Sequence, residues 1–345
     1  MRFNPPARSS RATALAAFAL LAFAPAVCRA QSTQGAVPAA PLVHLRLANL
    51  GVASGPQEMA IERGVFAHHG IDLEVVHFIR GGAEATVGAA SGQVDMGEYG
   101  SPILIGIASG LHLKIVGAPP VKTNGFELVA RKGIESVKDL RGKTVAAGAL
   151  GNGTYEATIK ILHDSGLTDS DVNLVTGNGV AADLILRSGR VDAVITTGLI
   201  RLKLVDEGHA NLIARASDYF GHYEHSYIYA TDGFIQAHPE AVHNFLLATR
   251  EAWTYAKDHR EELVEFAAKG QHVKKEIARA YYDEMIPQWD LSLNVDREGM
   301  ANAVRILQEL KEIRPNATFD LNSWLDLRFL DDASHPRTAA IAGKP

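Results

Sequence analysis

Glycine and small hydroxyl residues recur in this sequence where strand-like runs give way to helix-like ones. The sets are Ala53-Ser54-Gly55, Arg80-Gly81-Gly82, Tyr99-Gly100-Ser101, Gly151-Asn152-Gly153-Thr154, Asn178-Gly179 and Thr196-Thr197-Gly198. Such residues suit the grip of a small solute. Glycine admits close approach to the backbone, Ser and Thr supply hydroxyls, and first-turn N–H groups with the helix dipole attract negative charge. Any one set reads first as an ordinary loop or cap; six junctions aimed at one crevice favour binding. The candidate ligand-binding residues are Ser54, Gly55, Arg80, Gly81, Gly82, Tyr99, Gly100, Ser101, Asn152, Gly153, Thr154, Tyr155, Asn178, Thr196 and Thr197.

Arg80 is the sharpest of these. Its guanidinium at a helix start suits bidentate contact with a carboxylate or sulfonate; the alternative is an ion pair with Glu84 or Glu98. Glu98 is a candidate for a ligand amine, and Tyr99, Tyr155 and Tyr223 are candidates to pack on the ligand. Other motifs fail on spacing. Gly142-Lys143-Thr144 lacks the upstream glycine of a phosphate loop, Val137 standing there, and a strand follows it. Glu156 occupies the last position of a dinucleotide fingerprint begun by Gly151 and Gly153. No Gly-x-Ser-x-Gly elbow occurs. His222-Tyr223-Glu224-His225 offers two imidazoles with no evident third metal ligand, and His68-His69 reads as a helix-end pair. No cofactor and no metal are expected.

The elements that must position these residues begin after a leader. Arg2, Arg8 and Arg11, the apolar run Ala12–Ala24, and small residues ending at Cys28-Arg29-Ala30 have the order of a secretory signal peptide. The apolar run is shorter than the roughly 20 residues of a membrane span. Cys28, the chain's one cysteine, is preceded by Pro25-Ala26-Val27, a poor context for lipidation, so cleavage after Ala30 is the expectation. That leaves a cysteine-free chain, suited to an oxidising compartment, and removes cysteine-based catalysis. It also takes four arginines, moving the net charge from −5 to −9 and arguing against nucleic acid as a partner.

Residues 31–41 read as a flexible leader and 331–345 as a frayed tail. Between them the pattern alternates: strands at 42–48, 71–76, 94–97, 113–116, 144–147, 172–175 and 191–196. Helices are expected at 83–91, 102–109, 154–165, 181–188 and 199–207, and one running from Pro56 through Met59, Ile61 and Phe66 to Gly70. This predicts an α/β fold with mostly parallel sheets. After about residue 232 the signal is helical, opened by Pro239, with Val242, Phe245, Leu246, Trp253 and Ala256 at helical spacing. Trp253, Trp289 and Trp324 read as packing residues.

Several segments resemble one family. They are Gly64-Val65-Phe66, Gly70-Ile71-Asp72-Leu73-Glu74-Val75, Gly92-Gln93-Val94-Asp95-Met96-Gly97 and Gly110-Leu111-His112-Leu113-Lys114-Ile115-Val116. Further along come Ser136 to Ala146, Gly166-Leu167 with Asp171-Val172, Gly189-Arg190-Val191-Asp192-Ala193 and His238-Pro239-Glu240-Ala241-Val242. In order and spacing over residues 42–313 they resemble the nitrate/sulfonate/taurine and thiamine-precursor binding proteins. The resemblance implies a type II periplasmic-binding-protein fold, two doubly wound lobes joined by a two-crossing hinge. Placing the crossings at Pro119-Pro120 and His225–Ala230 gives lobe 1 as 42–118 plus 230–330 and lobe 2 as 119–229. It further implies a periplasmic, monomeric, non-enzymatic protein that captures a small, anionic solute and passes it to an ATP-driven ABC permease. The alternatives are an enzyme on the same fold, desulfinase- or decarboxylase-like, and a sensor module that presents its ligand to a receptor.

Overall fold

The computed structural model describes residues 41–49, 55–78, 81–122, 125–177 and 181–330. The expected signal peptide with Cys28, the leader up to residue 40, and the tail 331–345 lie outside these residues. Ten strands are β1 (Val43–Asn49), β2 (Ile71–His77), β3 (Met96–Tyr99), β4 (Leu113–Gly117), β5 (Phe126–Arg131), β6 (Thr144–Ala146), β7 (Asn173–Val175), β8 (Ala193–Thr197), β9 (Ala210–Arg215) and β10 (Tyr227–Thr231). They form two five-stranded sheets of the same plan, ordered β2-β1-β3-β10-β4 and β7-β6-β8-β5-β9. These are the sheets of two mixed α/β lobes, as a periplasmic-binding-protein fold requires.

β1 shows how sequence becomes sheet. Leu45 and Leu47 are 0% and 1% exposed, while His44 of the same strand meets Asp72 and Glu74 of β2 through hydrogen bonds of 3.0 Å. β1 runs parallel to β2 in register Val43↔Ile71 and parallel to β3 at Leu47↔Met96. Parallel neighbours need crossover helices, and helices Gly82–Ala90 and Ser101–Ala108 connect the strands of the first sheet. The next-to-last strand of each sheet breaks the parallel pattern. β10 is antiparallel to β3 and β4, and β5 is antiparallel to β8 and β9.

β5 and β10 each follow a passage of the chain from one sheet to the other, so each sheet receives one strand directly after a crossing. All of β10 belongs to the first sheet, and the boundary expected at residue 230 falls inside this strand. Other differences from the sequence reading are local. The expected helix from Pro56 to Gly70 is two pieces, Pro56–Glu62 and Val65–His68, because Gly64 adopts φ 72° between them. β3 begins two residues later than expected, and β5 and β9 were not foreseen.

Helices Pro239–Asp258, Arg260–Gly270, Lys275–Met285 and Arg297–Glu309 follow. Val242, Phe245 and Leu246 of the longest pack with Leu45, Leu47 and Ile71 on one face of the first sheet. Trp253 and Trp289 meet edge to face at 4.6 Å in a cluster among the C-terminal helices, and Trp324 is buried in the core on the other face. Among the described residues no helix is long and apolar enough to cross a membrane.

Candidate functional site

A cavity of about 780 Å³ is lined by residues of both sheets, of the two crossings and of the C-terminal helices. Ligands of open parallel sheets sit beyond the carboxyl ends of the strands. Here β3 ends at Tyr99 and Gly100 caps helix Ser101–Ala108, while β8 ends at Thr197, which caps helix Gly198–Asp206. Gly81 caps helix Gly82–Ala90 and Asn152 caps helix Gly153–Asp164. All four caps line the cavity. Its walls are otherwise largely apolar, with Phe126, Tyr223, Tyr281, Met285, Pro102 and Val121 among them.

Close approaches explain two of the glycines. Gly81 takes φ 97°, and a Cβ there would stand 2.7 Å from the Asn152 side-chain oxygen, so only glycine seats this contact. Asn152 Oδ1 in turn accepts the N–H of Ala83 at 3.1 Å. A side chain following the second sheet thus caps a helix of the first lobe. A Cβ on Gly100 would stand 2.5 Å from the His225 carbonyl oxygen of the second crossing.

Charged groups concentrate on the second lobe's wall. Arg201, 6% exposed, donates from Nε to Glu127 at 2.7 Å and from its terminal nitrogen to Glu284 at 2.6 Å. Arg215 donates from Nε to the other Glu127 oxygen at 3.1 Å, and its side chain is half exposed. Glu127 lies in β5, Arg201 in helix Gly198–Asp206, Arg215 in β9 and Glu284 in helix Lys275–Met285. The Arg201–Glu284 pair therefore spans from the second lobe to the C-terminal helices. A guanidinium has five N–H donors in a planar fork, so both arginines keep donors after these bonds. On the first lobe's wall stands Glu98 at the end of β3, its carboxyl pushed up to about 7 by burial and then by Glu58.

Further titratable groups lie in helix Gly153–Asp164 and at the second crossing. Burial pushes the Glu156 carboxyl up to about 8, with the Ser101 hydroxyl drawing it back. Burial also raises Glu224 to about 7 against the opposing charge of Lys122, whose Nζ lies 3.7 Å away; Glu224 accepts the Asp296 N–H at 2.9 Å. His225 is pushed down to about 4 by burial and meets Phe126 edge to face at 5.2 Å. His222 pairs with Asp296 instead, and among the described residues no group of three or more His, Cys, Asp or Glu could hold a metal.

Of the residues expected from sequence, Gly81, Gly82, Tyr99, Gly100, Ser101, Asn152, Gly153, Thr154, Thr196 and Thr197 line the cavity together. Gly55 and Tyr155 do not. Gly55 caps helix Pro56–Glu62 and donates its N–H to Glu58 at 3.1 Å. Tyr155 lies one residue beyond Thr154 in helix Gly153–Asp164, outside the lining. Ser54, Arg80 and Asn178 lie outside the described residues. Tyr223 and Glu98, candidates from sequence, also line the cavity, and so do Glu127, Arg201, Arg215, Tyr281 and Glu284, which are not among the sequence candidates. No local motif marks them; they meet only because β5, β9 and two helices converge.

Comparisons with known proteins agree with this architecture. A protein named "Putative aliphatic sulfonates-binding protein" from Bacillus subtilis (strain 168) is 27% identical over 230 residues, 64% of this chain and 68% of that relative. A solved structure from Bordetella bronchiseptica RB50 superposes with TM-score 0.72 at 20% identity, covering 84% of this chain and 96% of its own. The alkanesulfonate-binding protein SsuA from Xanthomonas axonopodis pv. citri, bound to MOPS, superposes with TM-score 0.68 at 17% identity, covering 81% and 96%. Two of these are named for binding and none for catalysis. The family model described as NMT1/THI5 like matches residues 55–263, which takes in β2 to β10 and every cavity-lining residue up to Ser226. On that match, over more than half its length, the chain belongs to the NMT1/THI5-like family.

Proposed function

We propose that this chain is an extracytoplasmic solute-binding protein of an ABC importer, which captures a small organic anion of sulfonate or carboxylate type between its lobes. The observation that carries the reading is the convergence of four helix N-termini and the Arg201–Arg215 pair on one apolar-walled cavity. Helix N-termini favour anions, and a guanidinium fork matches a carboxylate or sulfonate. The sulfonate-binding relatives support the same ligand chemistry. The lobes are taken as residues 42–118 with 227–330, and 119–226, hinged at the two crossings. Closure about that hinge would form the surface a permease recognises. Export by residues 1–30, a periplasmic location and a monomeric state complete the proposal.

An enzyme on this fold is the competing reading. The single cysteine, Cys28, sits in the expected signal segment, which removes the thiol nucleophile of a desulfinase-like reaction. The test is a thermal-shift screen of residues 31–345 against sulfonates, carboxylates, nitrate and pyrimidines, followed by calorimetry. A ligand at 100 times its dissociation constant adds about 2.7 kcal/mol of stability. A panel of organic anions that leaves the melting curve unchanged refutes the reading, and turnover of a bound anion moves it to the enzyme.

A further inference from the structure

The cavity has two poles of opposite sign. On the second lobe's side, Arg215 gives only its Nε to Glu127, and Arg201 is bonded to Glu127 and Glu284. On the first lobe's side, Glu98 at the end of β3 lines the same cavity and has no hydrogen bond or ion pair to any described residue. The charge acting on it is another carboxylate, Glu58, whose Oε2 accepts the Gly55 N–H.

We propose that Glu98 is the specificity-determining residue for a cationic nitrogen on the ligand, so that the solute is an amine-bearing sulfonate or carboxylate. The inference rests on the anion-capture reading above and adds the opposite charge to it. A half-buried carboxylate in a largely apolar cavity favours a counter-charge or donors, and the described residues supply neither to Glu98. The burial that pushes this carboxyl up to about 7 reflects the same deficit. A ligand ammonium group supplies both a charge and up to three donors. A plain alkanesulfonate would fill the arginine pole and leave Glu98 facing hydrocarbon, which is unfavourable.

Calorimetry on residues 31–345 with matched probes tests this. The pairs are taurine against ethanesulfonate, and aminomethylbenzenesulfonate against toluenesulfonate, with benzylamine as the amine alone. The amine-bearing member of at least one pair is expected to bind about 10- to 100-fold more tightly, the range for a hydrogen bond to a charged group. Glu98→Gln should abolish that preference, the amine-bearing probe falling to the affinity of its amine-free partner. Glu98→Asp, which retains the charge, should keep part of the preference. Equal or tighter binding of both amine-free sulfonates to the native protein overturns the inference and leaves anion capture standing. Benzylamine binding as tightly as aminomethylbenzenesulfonate overturns anion capture instead, and binding of no probe overturns both.

Discussion

Glu127→Gln tests the charge argument most directly, because one carboxylate serves two guanidinium groups. The Glu127 and Arg201 side chains are 8% and 7% exposed, at 2.7 Å, and Arg215 shares Glu127 at 3.1 Å. Unit charges about 3 Å apart interact by roughly 5 kcal/mol at an effective dielectric of about 20. Three effects reduce the net loss: Glu127 is no longer desolvated as an ion, Arg201 keeps Glu284, and half-exposed Arg215 is screened. The expected destabilisation is about 2–4 kcal/mol, short of the roughly 3–5 kcal/mol for leaving a buried charge wholly unpaired. Urea unfolding followed by far-ultraviolet circular dichroism measures it, provided the slope is unchanged. The same variant makes the cleft one charge more positive, so the affinity for an organic anion should rise as stability falls. A loss below about 0.5 kcal/mol, or stability and anion affinity falling together, would refute the reasoning.

Arg215→Ala should weaken binding of an organic sulfonate about 10-fold, the lower end for a charge-assisted hydrogen bond because the side chain is half exposed; calorimetry reads it. Gly81→Ala places a methyl group 2.7 Å from Asn152 Oδ1 at a φ of 97°, and should cost about 1–3 kcal/mol in urea unfolding. Glu156 holds its proton in the folded protein up to about pH 8 and loses it near pH 4.5 when unfolded, so its contribution to stability declines as pH rises between these values. Glu156→Gln should therefore flatten the pH-stability curve in that window relative to the native chain. His225, neutral in the fold down to about pH 4, acts with the opposite sign below pH 6.5 and leaves the comparison at pH 7 to 8 clean.

What sequence revealed of the site was its backbone part. Gly81, Gly100 and Gly153 announce themselves because a helix entered directly from a strand end needs small residues where chains approach closely. The charged part was silent. Arg201 stands amid Leu199, Ile200, Leu202 and Lys203 and reads as an ordinary helix arginine; only its distances to Glu127 and Glu284 give it a role. A parallel strand such as β8 was legible from its continuous apolar run, Ala193-Val194-Ile195. β5 was missed because Phe126-Glu127-Leu128-Val129-Ala130 carries a glutamate whose burial is tolerated only through two distant arginines. Local pattern contains no term for such partners.

The interleaving of strands also bears on how the chain is made. The partners of β10, Tyr227–Thr231, are β3 and β4, both more than a hundred residues earlier in the sequence. A ribosome therefore finishes the whole second lobe before the first sheet can receive its missing member. Until then β3 and β4 have no β10 between them, and such unfilled edges invite pairing with other chains. The second lobe, whose five strands all lie between Phe126 and Arg215, has no such wait and is expected to nucleate first.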